Sequence, residues 1–175
     1  MKSTFCAHCV PTPSVTVVMG ADAAEADRLQ RLAAYGIVRR DDSVLLVRIG
    51  PKSVDDYKKW MLPGGGVEHG EHPRVTVVRE FKEETGYDVE VVRLLDVDAE
   101  HRRLTGPLDF HAVFALYEVA IVGGTFNPSG HGGVDTCAWI SLAELPDLPL
   151  LTPIGAALEK FLPHVALNTS GQLPS

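Results

Sequence analysis

Residues 65–87 read GGVEHGEHPRVTVVREFKEETGY, and no other part of the 175-residue chain is as informative. The second half of this stretch, from Pro73 to Thr85, predicts a helix. Proline is favoured in the first helical turn, and Gly86 is a common C-terminal stop. Residues spaced i, i+3 and i+4 share one face of a helix. Three carboxylates have this spacing here: Glu80, Glu83 and Glu84.

A helix face with three carboxylates has two interpretations. Like charges at these spacings destabilise a helix, so the cluster favours a bound cation, and oxygen-rich sites suit Mg²⁺ or Mn²⁺. Alternatively the face is simply solvated, with Arg79 and Glu83 forming an i,i+4 ion pair. The preceding loop favours the metal site. Its glycines at 64–66 let backbone groups approach a ligand closely, and Glu71 follows just before the helix.

The same stretch resembles the Nudix box, a family pattern written G-x5-E-x7-R-E-U-x-E-E-x-G-U, where U is a bulky apolar residue. Tyr87 takes the final U position, where an aliphatic residue is commoner. Every other fixed position matches: Gly65, Glu71, Arg79, Glu80, Phe81, Glu83, Glu84 and Gly86. The approach Trp60–Gly64 also looks like the usual lead-in of the family, and the broader resemblance covers about residues 35–162.

The resemblance implies a metal site. The box would form a loop–helix–loop whose helix supplies the ligands, with Glu80 and Glu84 as the main ones and Glu83 beside them as ligand or base. The backbone carbonyl of Gly64 would be a further ligand. Glu71 would brace the site or bind the metal through water. The implied cofactor is Mg²⁺, with Mn²⁺ as a substitute.

The resemblance also implies catalytic and substrate contacts. The predicted catalytic residues are Arg79, Glu83 and Glu84, and the predicted substrate contacts are Arg48, Gly65 and His131. Arg79 would orient glutamates by charge-assisted hydrogen bonds. Glu83 would be the general base, with His131 as an alternative base unless it is only solvated. Arg48 would reach a phosphate from the end of a strand, unless it is a surface arginine.

The implied reaction is attack of water on one phosphorus of a nucleoside diphosphate linked to another group. The substrate stays open among nucleoside triphosphates, ADP-ribose and nucleotide sugars, because the subclass signatures downstream of the box are absent. The alternative is a non-catalytic nucleotide-binding or sensor module, which would be expected to lose box glutamates that this chain keeps. A superfamily isomerase would need an added cysteine near the site, and Cys137 is the only one in mid-chain.

Composition excludes other classes of protein. The formal net charge is −7, which argues against binding of a nucleic-acid polymer but allows a small nucleotide held through a cation. Three cysteines make no disulfide framework, and Cys6-Ala7-His8-Cys9 lacks the second pair that structural zinc requires. Without a long apolar segment, we expect no membrane span and a cytoplasmic protein.

The remaining pattern predicts an α+β fold, a mixed β-sheet flanked by helices, which corresponds to the α/β/α sandwich of the Nudix type. Residues 1–34 are predicted as an extension with a strand at 12–19 and a helix at 23–34, which could contribute to a homodimer interface. The domain itself would be 35–163, with a tail at 164–175. The predicted elements after residue 34 are a hairpin at 35–49, strands at 89–97, 110–122 and 134–140, a helical turn at 141–145 and a helix at 153–162. His101-Arg102-Arg103 is interpreted as a solvated turn, with a basic substrate loop as the alternative.

Overall fold

Eight strands and two helices form the part of the chain that the computed structural model describes, residues 28–104, 108–129 and 133–164. The strands are β1 (Arg28–Ile37), β2 (Arg39–Arg40), β3 (Ser43–Ile49), β4 (Trp60–Met61), β5 (Gly64–Gly66), β6 (Tyr87–Arg103), β7 (Asp109–Gly124) and β8 (Val134–Ser141). The helices are α1 (Pro73–Thr85) and α2 (Thr152–Phe161), with short 3-10 turns at Leu145–Asp147 and Leu162–His164. Neither of these helices is long and apolar enough to cross a membrane.

The strands form two sheets. The first has the order β5-β1-β7-β6, in which β1 runs parallel to β7 and the other pairs are antiparallel. The second is antiparallel and is built around β3, which pairs with β2, β4 and β8. The chain passes from the first sheet to the second at Val38, between β1 and β2.

The buried apolar residues form two clusters, one packed against each helix. One strand contributes to both, because alternate residues of a strand point to opposite sides. Leu45 of β3 belongs to the cluster that contains Phe81 of α1. Its neighbours Val44 and Leu46 belong to the cluster that contains Ile154 of α2. All five side chains are fully buried. The structure therefore confirms the predicted α+β fold with helices flanking a mixed sheet.

Helix α1 begins and ends where the sequence predicts. Pro73 takes the first position, and Nδ1 of His72 accepts a hydrogen bond from the backbone N–H of Arg74 at 3.1 Å. At the other end Gly86 has φ 77°, in the left-handed region that glycine favours. Its N–H donates to the carbonyl of Lys82 at 3.1 Å. The local sequence is sufficient to define both ends of this helix.

The predicted helix at 23–34 is wrong over residues 28–34, which belong to β1. Every residue of β1 pairs with a residue of β7, from Arg28 with Asp109 to Ile37 with Glu118. This long-range pairing overrides the helix propensity of the Ala, Leu and Arg residues in the segment. The strand runs through the predicted domain boundary at residue 34. The predicted strand at 12–19 and the start of the predicted helix lie outside the described residues.

Two further predictions differ from the structure. Strand β6 extends to Arg103, so His101-Arg102-Arg103 is a strand and not a solvated turn. Its pairing with β7 continues to Asp109, which keeps these polar residues in the sheet. The helical turn predicted at 141–145 lies further along, as the 3-10 turn Leu145–Asp147. The first difference arises from the pairing of β6 with β7.

Candidate active site

The glycine-rich strand β5 brings its backbone close to the helix glutamates. Gly64 pairs with Tyr35 of β1 and has φ 146°, a conformation that favours glycine. A Cβ atom on Gly64 would collide with the carbonyl oxygen of Ala34, and one on Gly65 would collide with the carboxylate of Glu80. Glycine at 64 therefore allows β5 to lie close to β1, and glycine at 65 allows the backbone to lie against Glu80 of α1.

Arg79 connects three glutamates. Its Nε and Nη2 donate to Oε1 and Oε2 of Glu71, each at 3.0 Å. Its Nη1 donates to Oε1 of Glu80 at 3.0 Å and to Oε2 of Glu83 at 3.4 Å. The Arg79 guanidinium, followed by the hydroxyl of Thr76, lowers the pKa of Glu71 to about 2. The bidentate geometry is that of an arginine that orients carboxylates.

Glu84 is a buried carboxylate, only 6% exposed, at the centre of this cluster. Its Oε2 accepts a hydrogen bond from the backbone N–H of Gly64 at 3.0 Å. Burial raises the pKa of Glu84 well above its ordinary value, and the negative charges of Glu80 and Glu83 add to the effect. Burial also raises the pKa of Glu80, although its ion pair with Arg79 opposes the shift. The described residues thus balance this negative charge only in part.

The glutamates line a cleft of about 490 Å³. The predicted site residues in its wall are Gly64, Gly65, Glu80, Glu83 and Glu84, whereas Glu71 and Arg79 do not line it. Other parts of the wall come from β1, β6, β7 and the loop between β3 and β4. They include Arg31, Tyr35, Lys52, Asp56, Arg102 and Phe110. A cleft of this size, with mixed polar and apolar lining, suits a small-molecule ligand.

The structure does not bring Arg48 to the predicted phosphate contact. Its Nε donates to Oδ1 of Asp135 at 2.9 Å, and its Nη2 donates to Oδ2 at 3.2 Å. Its guanidinium also lies 5.7 Å from the ring centroid of Trp60. Because β8 supplies this carboxylate from 87 residues away, the sequence alone does not reveal the pairing. His131 lies outside the described residues, so its role stays a prediction.

Arg31 and Tyr35 line the cleft, although the sequence does not predict them as site residues. Alternation along β1 places both on one side of the strand. The Arg31 guanidinium lies beside Gly66, where an added Cβ would be 3.1 Å from its Nη2. Burial raises the pKa of Tyr35 to about 12. Recognition of this segment as a strand would have placed both side chains on one face.

The acidic part of the cleft fits a divalent cation by donor type and by charge. Carboxylate oxygens from Glu80, Glu83 and Glu84 are the ligands that Mg²⁺ and Mn²⁺ prefer. Arg79 forms ion pairs with Glu80 and Glu83 and is shared with Glu71. Within the described ranges, no three Asp, Glu, His or Cys side chains already converge in ligand geometry. A bound ion would therefore require the three carboxylates to move closer together.

Comparison with known proteins identifies the family. A model of the NUDIX domain matches residues 29–165, so the chain belongs to the Nudix family. A Bacillus subtilis (strain 168) protein named "Putative ADP-ribose pyrophosphatase YjhB" is 38% identical over 115 residues, which are 65% of this chain and 51% of that protein. A Mycobacterium tuberculosis protein named "Putative 8-oxo-dGTP diphosphatase 2" is 30% identical over 121 residues, 69% of this chain and 79% of that protein. The chain spans about half the length of the B. subtilis relative.

Solved structures share the fold. The crystal structure of a MutT NUDIX hydrolase from Burkholderia pseudomallei superposes with a TM-score of 0.57 and 27% identity, covering 76% of this chain and 98% of that one. The NUDIX domain of Shewanella oneidensis NrtR, crystallised with ADP ribose, gives a TM-score of 0.62 at 20% identity, covering 79% of this chain and 90% of that one. At that identity the second likeness concerns the fold alone.

Proposed function

We propose that this Nudix protein is a Mg²⁺-dependent pyrophosphohydrolase that cleaves a diphosphate bond in a nucleoside diphosphate linked to another group. The observation that carries the proposal is the acidic wall of the cleft, which Glu80, Glu83 and Glu84 line together. The names of the B. subtilis and M. tuberculosis relatives both describe enzymes that act on diphosphates, which supports the same reaction class.

Glu80 and Glu84 would hold the metal together with the backbone carbonyl of Gly64, and Mn²⁺ would substitute for Mg²⁺. When bound, the cation lowers the pKa of a coordinated water and offsets the charge of the phosphates. Burial of Glu84 beside Glu80 supports this assignment, because a buried carboxylate pair is costly without a counter-charge.

The remaining box residues act on the water and on one another. Glu83 borders the cleft and its side chain is 49% exposed, so it accepts the proton of the attacking water. Arg79 holds Glu80 and Glu83 in position by ion pairs. Glu71 anchors Arg79 through two hydrogen bonds and thereby braces the site. These two residues orient the carboxylates that do the chemistry.

The substrate is a small nucleotide: a nucleoside triphosphate, ADP-ribose or a nucleotide sugar. A cleft of about 490 Å³ supports a small molecule over a polymer. Phe110 and Phe114 offer apolar surface to a base or a sugar, while Arg31 offers a guanidinium to a phosphate. Arg31 takes the role that the sequence predicts for Arg48. The homodimer and the cytoplasmic location stay predictions.

A substrate panel with Mg²⁺ or Mn²⁺ at mildly alkaline pH tests the proposal, with released nucleoside monophosphate and phosphate as the readout. Glu84→Gln keeps the size of the side chain and one acceptor oxygen but removes its charge, so we expect a loss of turnover of about 10²–10⁴-fold. Glu90→Gln is the matched control, because Glu90 is an exposed carboxylate on β6 outside the cleft. Unchanged turnover in Glu84→Gln would overturn the assignment of the metal site. No turnover of any substrate by the unmodified chain would favour the non-catalytic module instead.

A further inference from the structure

The loop between β3 and β4, residues 50–59, contributes side chains to the same cleft as the box glutamates. Lys52, Ser53 and Asp56 line the cleft from this loop. The base of the loop is closed by two backbone hydrogen bonds. The N–H of Ile49 donates to the carbonyl of Lys59 at 2.9 Å, and the carbonyl of Ile49 accepts from the N–H of Lys58 at 3.0 Å. These bonds hold the two ends of the loop together, and within the loop the N–H of Ser53 donates to the carbonyl of Gly50 at 3.3 Å.

An ion pair between Asp56 and Arg102 holds the loop against β6. Nη1 of Arg102 donates to Oδ1 of Asp56 at 2.8 Å, and Nη2 donates to Oδ2. Lys59 Nζ donates to the same Oδ1 at 2.9 Å, and Asp56 is only 6% exposed. Because β3 and β6 belong to different sheets, the pair connects the two sheets at the cleft. A bidentate pair of this kind fixes orientation as well as distance.

Arg102 and Lys52 both line the cleft, but they differ in their ion-pair partners. Asp56 accepts both terminal nitrogens of Arg102, and Glu100 Oε1 lies 3.1 Å from the Arg102 Nε. Asp56 therefore satisfies both terminal nitrogens of this guanidinium, while Glu100 is in ion-pair contact with its Nε without a hydrogen bond. Lys52 also borders the cleft, but no ion pair to it is found among the described residues. Its ammonium is thus available to an anionic ligand.

We propose that Lys52 binds a phosphate of the substrate and that the Asp56–Arg102 pair positions Lys52 for this contact. Lys52 is a substrate-binding residue, since its ammonium adds positive charge beside the phosphates of a ligand in the cleft. Arg102 is a positioning residue that acts through Asp56 and the loop. The inference rests on the proposed function, because it assumes a diphosphate substrate in this cleft.

A double-mutant cycle on Lys52 and Arg102 tests the coupling. Steady-state kinetics with ADP-ribose and Mg²⁺ give kcat and KM. Calorimetric titration with α,β-methylene-ADP, in which carbon replaces the bridging oxygen, gives binding without turnover. We expect Lys52→Ala to raise KM and Kd about fivefold, equivalent to ~1 kcal/mol, with kcat within about twofold of its starting value. In an Arg102→Gln background the same substitution should change Kd less than about twofold, because Lys52 is already misplaced.

Controls keep the outcomes distinct. Lys58→Ala removes an exposed ammonium from the same loop that does not line the cleft, and it should leave Kd unchanged. If Arg102→Gln does not fold, Asp56→Asn breaks the same ion pair from the loop side. Equal effects of Lys52→Ala in both backgrounds, or no effect on Kd, would overturn the inference. Absence of hydrolysis with intact, coupled binding of the methylene analogue would instead overturn the proposed function alone.

Discussion

The two walls of the cleft are built in different ways. The box wall comprises β5 and α1, and its ion pairs join residues close in sequence, such as Arg79 with Glu71 and Glu83. The loop wall comprises residues 50–59 and Arg102, and its ion pair joins Asp56 to a residue 46 positions away. Short-range spacing on a helix can be recognised in one sequence, whereas a pair between two sheets depends on the whole topology.

The two walls also differ in charge balance. Burial raises the pKa of Glu84 in the box wall well above its ordinary value. In the loop wall, hydrogen bonds from Arg102 hold the pKa of Asp56 below its ordinary value, against the effect of burial. The negative charge of Glu84 is therefore only partly balanced by its surroundings, whereas the negative charge of Asp56 is balanced by Arg102. An unmatched buried charge suits a cation-binding site, and a matched one suits a structural contact.

The largest effect on the free energy of unfolding is expected at Gly64 in the box wall, where β5 lies close to β1. Gly64→Ala would combine an unfavourable φ of 146° with a collision against the carbonyl of Ala34. We expect a loss of about 3 kcal/mol in the free energy of unfolding, or roughly 10 °C in Tm. Gly70→Ala is the matched control, because Gly70 has φ 80° but nothing lies within 4 Å of an added Cβ. Equal losses in the two variants would show that the packing of β5 on β1 is looser than described.

A smaller effect, on turnover, is expected when Arg79, which positions the carboxylates of the box wall, is replaced. Arg79→Lys keeps the charge but cannot make the bidentate contact with Glu71 while also reaching Glu80 and Glu83. Turnover should fall by about 10–100-fold, and a higher Mg²⁺ concentration should recover part of it. Activity measured over a Mg²⁺ series provides the test. Full activity at low Mg²⁺ would show that the ion pairs do not hold the ligands in place.

The smallest effects concern pH, and they should have opposite signs in the two walls. The raised pKa of Glu84 means that its charge lowers the free energy of unfolding as pH rises above 4.5. Glu84→Gln should therefore stabilise the metal-free protein at neutral pH by about 1 kcal/mol, or roughly 2–4 °C in Tm. The lowered pKa of Asp56 means that its charge adds stability above 3.8 that is lost as pH falls further. Asp56→Asn should therefore be less stable than the unmodified chain at neutral pH, and the two should converge in acid. Urea denaturation from pH 3 to pH 8 measures both, and a shared sign would contradict the contrast.

Much of the box wall could be predicted from the sequence. The ends of α1 follow from Pro73 and Gly86, and the shared face of its glutamates follows from helical geometry. The segment at 28–34 shows the limit of this reasoning. Its composition favours a helix, but pairing with β7 makes it a strand and places Arg31 in the cleft. Arg48 shows the same limit, since its partner Asp135 comes from β8.

By itself the sequence determined the loop–helix motif, the α+β class and the acidic group that suits a metal. These depend on periodicity, capping residues and glycine positions, which act over a few residues. The tertiary structure alone decided the surroundings of each arginine: Arg31 lines the cleft, Arg48 is bound to Asp135, and Arg102 is bound to Asp56. The reason is physical. An arginine takes whichever carboxylate the packed sheets bring within reach, and that choice is made only when strands distant in sequence pair.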